Sequence, residues 1–219
     1  MANHVYFSID ISCPLTDEQW DKSFLVEEVT RKWGDGDPFT MNEFVELEKQ
    51  PFMQSTKPKF DDDGHLEDSW NWYVNNIGAK WCNVEESYNG YITGYSAWSA
   101  PTVMVDNIAQ YISDEFDETV YIKMTYEDEF RNFIGIYNVE TLQRQDGSWI
   151  LDENDNYQDD GDIEYVMEQV VGEGYADNDE FEWHEPCTNL LTGEEIYPAE
   201  YLDEVVYNFF ETGDLLPID

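Results

Sequence analysis

After Arg144 the chain has neither lysine nor arginine. Its 219 residues hold ten basic residues against fifty acidic ones, a formal charge of −40, and 23 of the acids fall in the cation-free stretch 145–219. So few cations exclude a protein that grips nucleic acid through basic side chains, because neutralising phosphate requires lysine and arginine. Like charges also repel one another in a compact chain, so folding gives no reason to discard every cation from one third of the sequence. Cysteine is scarce too. Cys13, Cys82 and Cys187 are widely spaced and form no CxxC pair, which argues against a zinc knuckle or dithiol motif and predicts reduced, buried thiols in a cytoplasmic protein. The start, Met1-Ala2-Asn3-His4-Val5, has no basic n-region, and no apolar run is long enough for a bilayer span; neither a signal peptide nor a membrane partner is expected. No GxSxG, P-loop or GxGxxG is present, and His4, His65 and His184 are scattered, so no catalytic residues and no cofactor are expected.

What the chain does have is hydrophobic and aromatic content, 41% and 16%, with eight Trp, 15 Tyr and 12 Phe. Disordered acidic tails lack such residues, so a folded protein with a substantial core is expected. Salt adaptation is a poor account of the charge, because the chain is poor in Ala and rich in Asn, Ile, Tyr and Phe. Forty charges spread evenly over roughly 10,000 Å² would stand roughly 16 Å apart, beyond the Debye length of about 8 Å. A strong local field therefore needs clustering, and the acids do cluster.

Periodicity supplies the elements. Val5, Phe7, Ile9 and Ile11 alternate with Tyr6, Ser8 and Asp10, which predicts a half-buried strand. Thr16 reads as the N-cap of a helix running to about Trp33, with Trp20, Phe24 and Val29 on its apolar side, and 34–38 as a turn. A short helix is expected over 40–49, a loop over 50–64, and a helix over 69–76 with Trp70, Tyr73 and Val74 inward. A hairpin over 81–97 turns at Asn89-Gly90. Pro101 opens a helix, and 119–127 and 133–140 read as strands. Beyond Asp146-Gly147 a short edge strand is expected at 149–151, then an acidic loop over 152–162, a helix over 163–171, and an amphipathic helix from Pro198 to Gly213. Trp70, Trp72, Trp81 and Trp98 are expected to fill the core.

Gly78-Ala79-Lys80-Trp81, then the hairpin, then Ala97-Trp98-Ser99-Ala100-Pro101 opening a helix, then Met124-Thr125-Tyr126-Glu127-Asp128-Glu129, follow one another in an order that resembles the Api-like family of phage and mobile-element proteins. Ala2-Asn3-His4-Val5-Tyr6 fits as well, whereas Ile77 stands where that family has Trp. The resemblance covers about residues 1–150. It implies an α+β fold with a ferredoxin-like antiparallel sheet, helices on one face, and a mobile-element origin; it implies no catalytic residues. The expected organisation is a ferredoxin-like domain over 1–145, with inserted helices at about 39–76, and an acidic, mostly helical or loop extension over 146–219 packed on it.

An EF-hand fails on spacing: taking Gly161 as the sixth loop position puts Met167 at the twelfth, and taking Gly64 puts Trp70 there. No dedicated metal site is expected. The acidic surface itself is then the candidate functional feature, because carboxylates fixed at i and i+4 of a helix, about 6 Å apart, can imitate the charge of DNA. The candidates are Asp152, Asp155, Asp159, Asp160, Asp162, Glu164, Asp177, Asp179, Glu180, Glu200, Asp203 and Glu204. The expected function is a phage- or mobile-element-encoded DNA mimic occupying the basic nucleic-acid-binding groove of a host defence protein in the bacterial cytoplasm, with no catalysis and no direct contact with nucleic acid. A homodimer is compatible with it. Two competing readings are a structural or assembly protein whose charge only keeps it soluble, and a divalent-metal-dependent enzyme. Charge reversals such as Asp159→Lys and Asp162→Lys should cripple a mimic and spare an assembly protein.

Overall fold

Alternation over His4–Ser12 becomes strand β1, with Val5, Phe7, Ile9 and Ile11 all buried. A computed structural model of the chain describes residues 3–13, 15–25, 27–32, 38–44, 46–172 and 183–217, with the backbone alone over 27–32 and 38–44. Two compact units divide it: Met1–Glu129 with Tyr137–Asp155, and Phe130–Ile136 with Asn156–Asp219.

In the first unit, β1 pairs antiparallel with β5 (Tyr91–Ala97) and with β6 (Tyr121–Asp128), placing Ile9 opposite Ile92 and Met124. β4 (Cys82–Tyr88) pairs with β5 across the expected Asn89-Gly90 turn. With β7 (Phe133–Gln143) and β8 (Trp149–Asp159), one six-stranded sheet runs β4-β5-β1-β6-β7-β8. Helix α3 (Thr102–Phe116) buries Met104, Val105, Ile108, Ala109 and Ile112, at helical spacing. The Ser113 hydroxyl at its far end donates to Thr141 Oγ1 at 2.8 Å, and that oxygen also accepts the Val120 N–H, so two buried polar side chains satisfy each other and a strand end. The class is α+β, as the mixture of strand and helix signals predicts. The six-strand order does not match the ferredoxin-like sheet.

The helix expected from Thr16 to Trp33 is only α1 (Asp17–Ser23). Its start was legible: Thr16 and Gln19 form a reciprocal capping box. Its end was not. Phe24 is already extended, and the chain continues as strand β2 (Glu27–Lys32), which pairs with β3 (Pro38–Phe44) where a helix over 40–49 was expected. Val29 and Thr30 are β-branched and suit a strand, and pairing with a neighbouring segment decides between the two forms. Residues 34–37 of the expected turn fall outside the described residues, and Pro38 opens β3. Of the expected inserted helices, 3₁₀ turns occupy Leu47–Lys49 and Pro51–Thr56, the latter within the expected loop, and α2 (Ser69–Asn76) matches its expected bounds. Its orientation does not match: Trp72 is buried, Tyr73 is half-buried, and Trp70 and Val74 are exposed.

The second unit is built on α4 (Asp160–Val171) and α5 (Pro198–Thr212). Ile163, Val166, Met167 and Val170 from α4 meet Tyr201, Leu202, Val205, Val206 and Phe209 from α5 in one core, with Ile134 and Ile136 of β7. Burying one such side chain is worth about 1.5–3 kcal/mol. Gly213 ends α5 at φ +80, where its carbonyl accepts from Asn156 Nδ2 at 2.6 Å. β9 (Cys187–Thr188) and β10 (Glu195–Ile196) form a small ribbon. The turn between them is held by Asn189, whose Oδ1 accepts from the N–H groups of Leu191 and Thr192. The expected loop over 152–162 is instead most of β8 and the first turn of α4. Asp and Asn are poor strand formers by propensity, but backbone pairing with β7 outweighs that bias.

Candidate acidic interface

Three of the candidate acids cap α4 as well as face solvent. Asp159 is its N-cap and accepts the Asp162 N–H, while the Asp162 carboxylate accepts the Asp159 N–H, a capping box made of two acids. Asp160 lies in the first turn, where the positive end of the helix dipole favours a carboxylate, and its own N–H donates to the Asn132 carbonyl. All three are exposed; Glu164, one turn on, is half-buried.

Along α5, Glu200, Asp203, Glu204, Tyr207 and Glu211 are exposed on the side away from the core residues. Glu200 and Glu204 stand at i and i+4, as do Tyr207 and Glu211, so neighbouring side chains lie about 6 Å apart. Asp203 forms an ion pair with Arg131. Asp203, Glu204, Tyr207, Asn208 and Glu211 line a shallow open concavity of about 450 Å³. The sequence identified the acids of this row but not its exposed tyrosine, which follows Val205 and Val206 in the chain order and shows its side only on a helical wheel.

Asp152 and Asp155 belong to the first unit, on β8, and are exposed. Asp155 accepts the Tyr126 hydroxyl at 2.8 Å. Beside them is an acid that sequence reasoning missed. Asp106 on α3 is half-buried and accepts the Tyr137 hydroxyl at 2.8 Å. Burial pushes its carboxyl up to about 6, the Tyr137 hydrogen bond pulls against that, and the Glu153 charge adds to the rise. The only available signal was its place within the apolar stretch from Val103 to Ala109, which it shares with Asn107. Asp177, Asp179 and Glu180 lie outside the described residues, so the structure brings together Asp159, Asp160 and Asp162 at one helix start and Glu200, Asp203 and Glu204 on one helix face.

Two further expectations meet the structure here. Among the described residues, the acid and histidine atoms close enough to chelate an ion together are those of Asp61, Asp63 and His65, all exposed. Asp61 Oδ1 accepts from the backbone N–H groups of Asp63 and His65, which makes this cluster a side-chain-braced turn, and those bonds, that from His65 foremost, lower its pKa. The tryptophans are not all core. Trp72 is buried, but Trp70 and Trp98 are half exposed at 49% and 51%, with the Lys80 ammonium 4.4 Å from both ring centroids. A cation–π arrangement of this kind keeps large rings at the surface. Of the cysteines, Cys82 is buried, and burial raises its thiol pKa; Cys13 and Cys187 are half-buried. No helix among the described residues is long and apolar enough to cross a membrane. The chain matches no protein-family model, no curated protein and no solved structure.

Proposed function

We propose that this chain is a non-catalytic decoy: a phage- or mobile-element-encoded DNA mimic that occupies the basic nucleic-acid-binding groove of a bacterial defence protein, such as a restriction enzyme or CRISPR effector. The observation that carries this reading is the charge of the second unit. It has nineteen acidic residues against one base, Arg131, and that base is engaged with Asp203. Acids mounted on the packed helices α4 and α5 are held by a rigid core, as an imitation of a phosphate array requires. The resemblance to the Api-like family supports the mobile-element origin. A subset of the sheet, β4-β5-β1-β6, with α1 after β1 and α3 after β5, supports a ferredoxin-like nucleus to which β7 and β8 are additions.

The test is competition. The immobilised chain is exposed to bacterial lysate, the retained proteins are purified, and each is loaded with labelled duplex DNA. The chain should displace the DNA, and its affinity should fall steeply between low and high salt as counterions compete. Retention only of proteins that bind no nucleic acid, simultaneous binding of chain and DNA, or salt-independent affinity would overturn the proposal.

A further inference from the structure

Resting on the decoy reading for its basic partner, we infer that the outer edge of β8, from Trp149 to Asp155, receives an extended basic segment of that partner as an added strand. β8 stands last in the order β4-β5-β1-β6-β7-β8, and among the described residues no strand pairs with its outer side. The two ends of the β7–β8 hairpin fix which residues face outward. The Arg144 N–H donates to the Ser148 carbonyl at 2.7 Å and the Asp160 N–H to the Asn132 carbonyl at 2.8 Å, the same antiparallel register at both ends. Successive residues of such a strand turn their N–H and C=O groups alternately towards and away from the neighbouring strand. Even-numbered residues of β8 therefore bond to β7, and Leu151, Glu153 and Asp155 turn both backbone groups outward. Asp159 follows the same alternation, because its N–H is used outside the ladder, by the Asp162 carboxylate. No residue of β8 is fully buried, and Asp152, Glu153, Asn154 and Asp155 are exposed in succession.

A row of outward donors and acceptors is a template for another strand, and proteins blunt it with bulges, proline or charge. β4, the opposite edge of the sheet, is interrupted by a register shift between Val84 and Glu86. β8 has no proline and keeps its register, so what guards it is charge. That charge selects the occupant. A second copy paired edge to edge would set carboxylates against carboxylates, and an apolar strand would cover them without a counter-charge. A strand carrying lysine or arginine meets both needs, main-chain bonds to Leu151, Glu153 and Asp155 and counter-charges for Asp152 and Glu153. Neither of those two carboxylates forms a hydrogen bond or ion pair among the described residues. The Asp155 carboxylate is engaged by the Tyr126 hydroxyl, which ties the strand to the sheet and leaves the Asp155 backbone facing outward. The edge lies in the first unit and works through backbone pairing, so it is separable from the charge of the second unit.

The test uses the full chain and a short peptide alternating Lys and Thr, beside a fully N-methylated peptide of the same charge and a peptide alternating Glu and Thr. Binding is followed by fluorescence anisotropy at low salt. The Lys peptide should bind, the N-methylated peptide about tenfold or more weakly because its backbone donors are gone, and the Glu peptide not at all. Hydrogen exchange read residue by residue should show the amides of Leu151, Glu153 and Asp155 slowed by the Lys peptide. Those of Asp152 and Asn154, already bonded to β7, should change little. Glu153→Pro, which removes an outward N–H and spares the ladder, should weaken the Lys peptide about tenfold, and Glu153→Gln, which removes only charge, about threefold. The exchange and N-methylation arms use the unaltered chain and do not depend on the proline variant folding. Equal binding of the two cationic peptides, or unchanged exchange at those three amides, overturns the inference and leaves the decoy reading standing, since charge alone then does the binding. Slow exchange at the same amides in the free chain, with a dimer in sedimentation, assigns the edge to a second copy and also overturns it. Failure of the Lys peptide to bind overturns it too, while the decoy reading is decided separately by displacement of DNA from the captured partner.

Discussion

Asp106 is the residue on which sequence and environment disagree most. A carboxylate in a helix of a highly acidic chain reads as surface, yet it is half-buried and held by the Tyr137 hydroxyl. Its pKa in the fold, about 6, lies above the 3.8 of an unperturbed aspartate. The folded state therefore binds a proton that the unfolded state does not between those values. The resulting stabilisation is present at low pH and is lost as pH rises through about 6. At neutral pH the ionised group is a net cost, and Asp106→Asn should raise stability by about 1 kcal/mol after allowing for its partial exposure. The gain should shrink towards pH 5, and denaturant melts of both proteins at several pH values would show it. A pH-independent difference would mean that Asp106 is ionised or neutral throughout. Gly94 is a second such residue. A Cβ there would stand 2.0 Å from the Asn83 carbonyl oxygen and 2.9 Å from the Phe7 ring. Because one of those atoms is backbone, the clash cannot relax by a rotamer change. Gly94→Ala should destabilise by roughly 3 kcal/mol or more, read as a lower denaturation midpoint.

At the scale of elements, the start of α4 separates structural acids from displayed ones. Asp159→Ala should cost about 1 kcal/mol through loss of the cap, whereas Glu204→Ala, on an exposed face, should change stability by less than about 0.5 kcal/mol. Thermal melts of the two variants check this ordering. One consequence is that charge reversal at Asp159 or Asp162 is a poor probe of mimicry, since it breaks a capping box and opposes the helix dipole at once. Reversals at Glu204 and Glu211, which lie beyond the first turn of α5, do not carry that cost. Legibility followed the same division. The start of α1, helices α3 and α5, and the hairpin β4–β5 could be read because the Thr16 cap, Pro101, Pro198, Gly213 and Asn89-Gly90 are local signals. Strands β2, β3 and most of β8 could not, because their hydrogen-bond partners are other segments and their compositions favour neither form strongly.

For the whole molecule, a charge of −40 means that self-repulsion opposes folding at low ionic strength. Added sodium chloride screens exposed charges beyond a Debye length of about 10 Å at 0.1 M. The melting temperature should therefore rise with salt over the same range in which affinity for a basic partner falls. Calorimetry set against a binding titration would check the opposition of the two trends; a melting temperature that fell with salt would mean that attractive ion pairs outweigh repulsion. What the sequence by itself determined was the charge asymmetry, the alternating strands β1 and β6, and the capped helices, because each is written in the spacing and type of neighbouring residues. Only the tertiary structure decided that Trp70 and Trp98 enclose Lys80 at the surface and that Asp106 is drawn inward against Tyr137. Those outcomes depend on which distant segment supplies the hydrogen bond, the ring or the dry surface, and that partner cannot be read from the local order of residues.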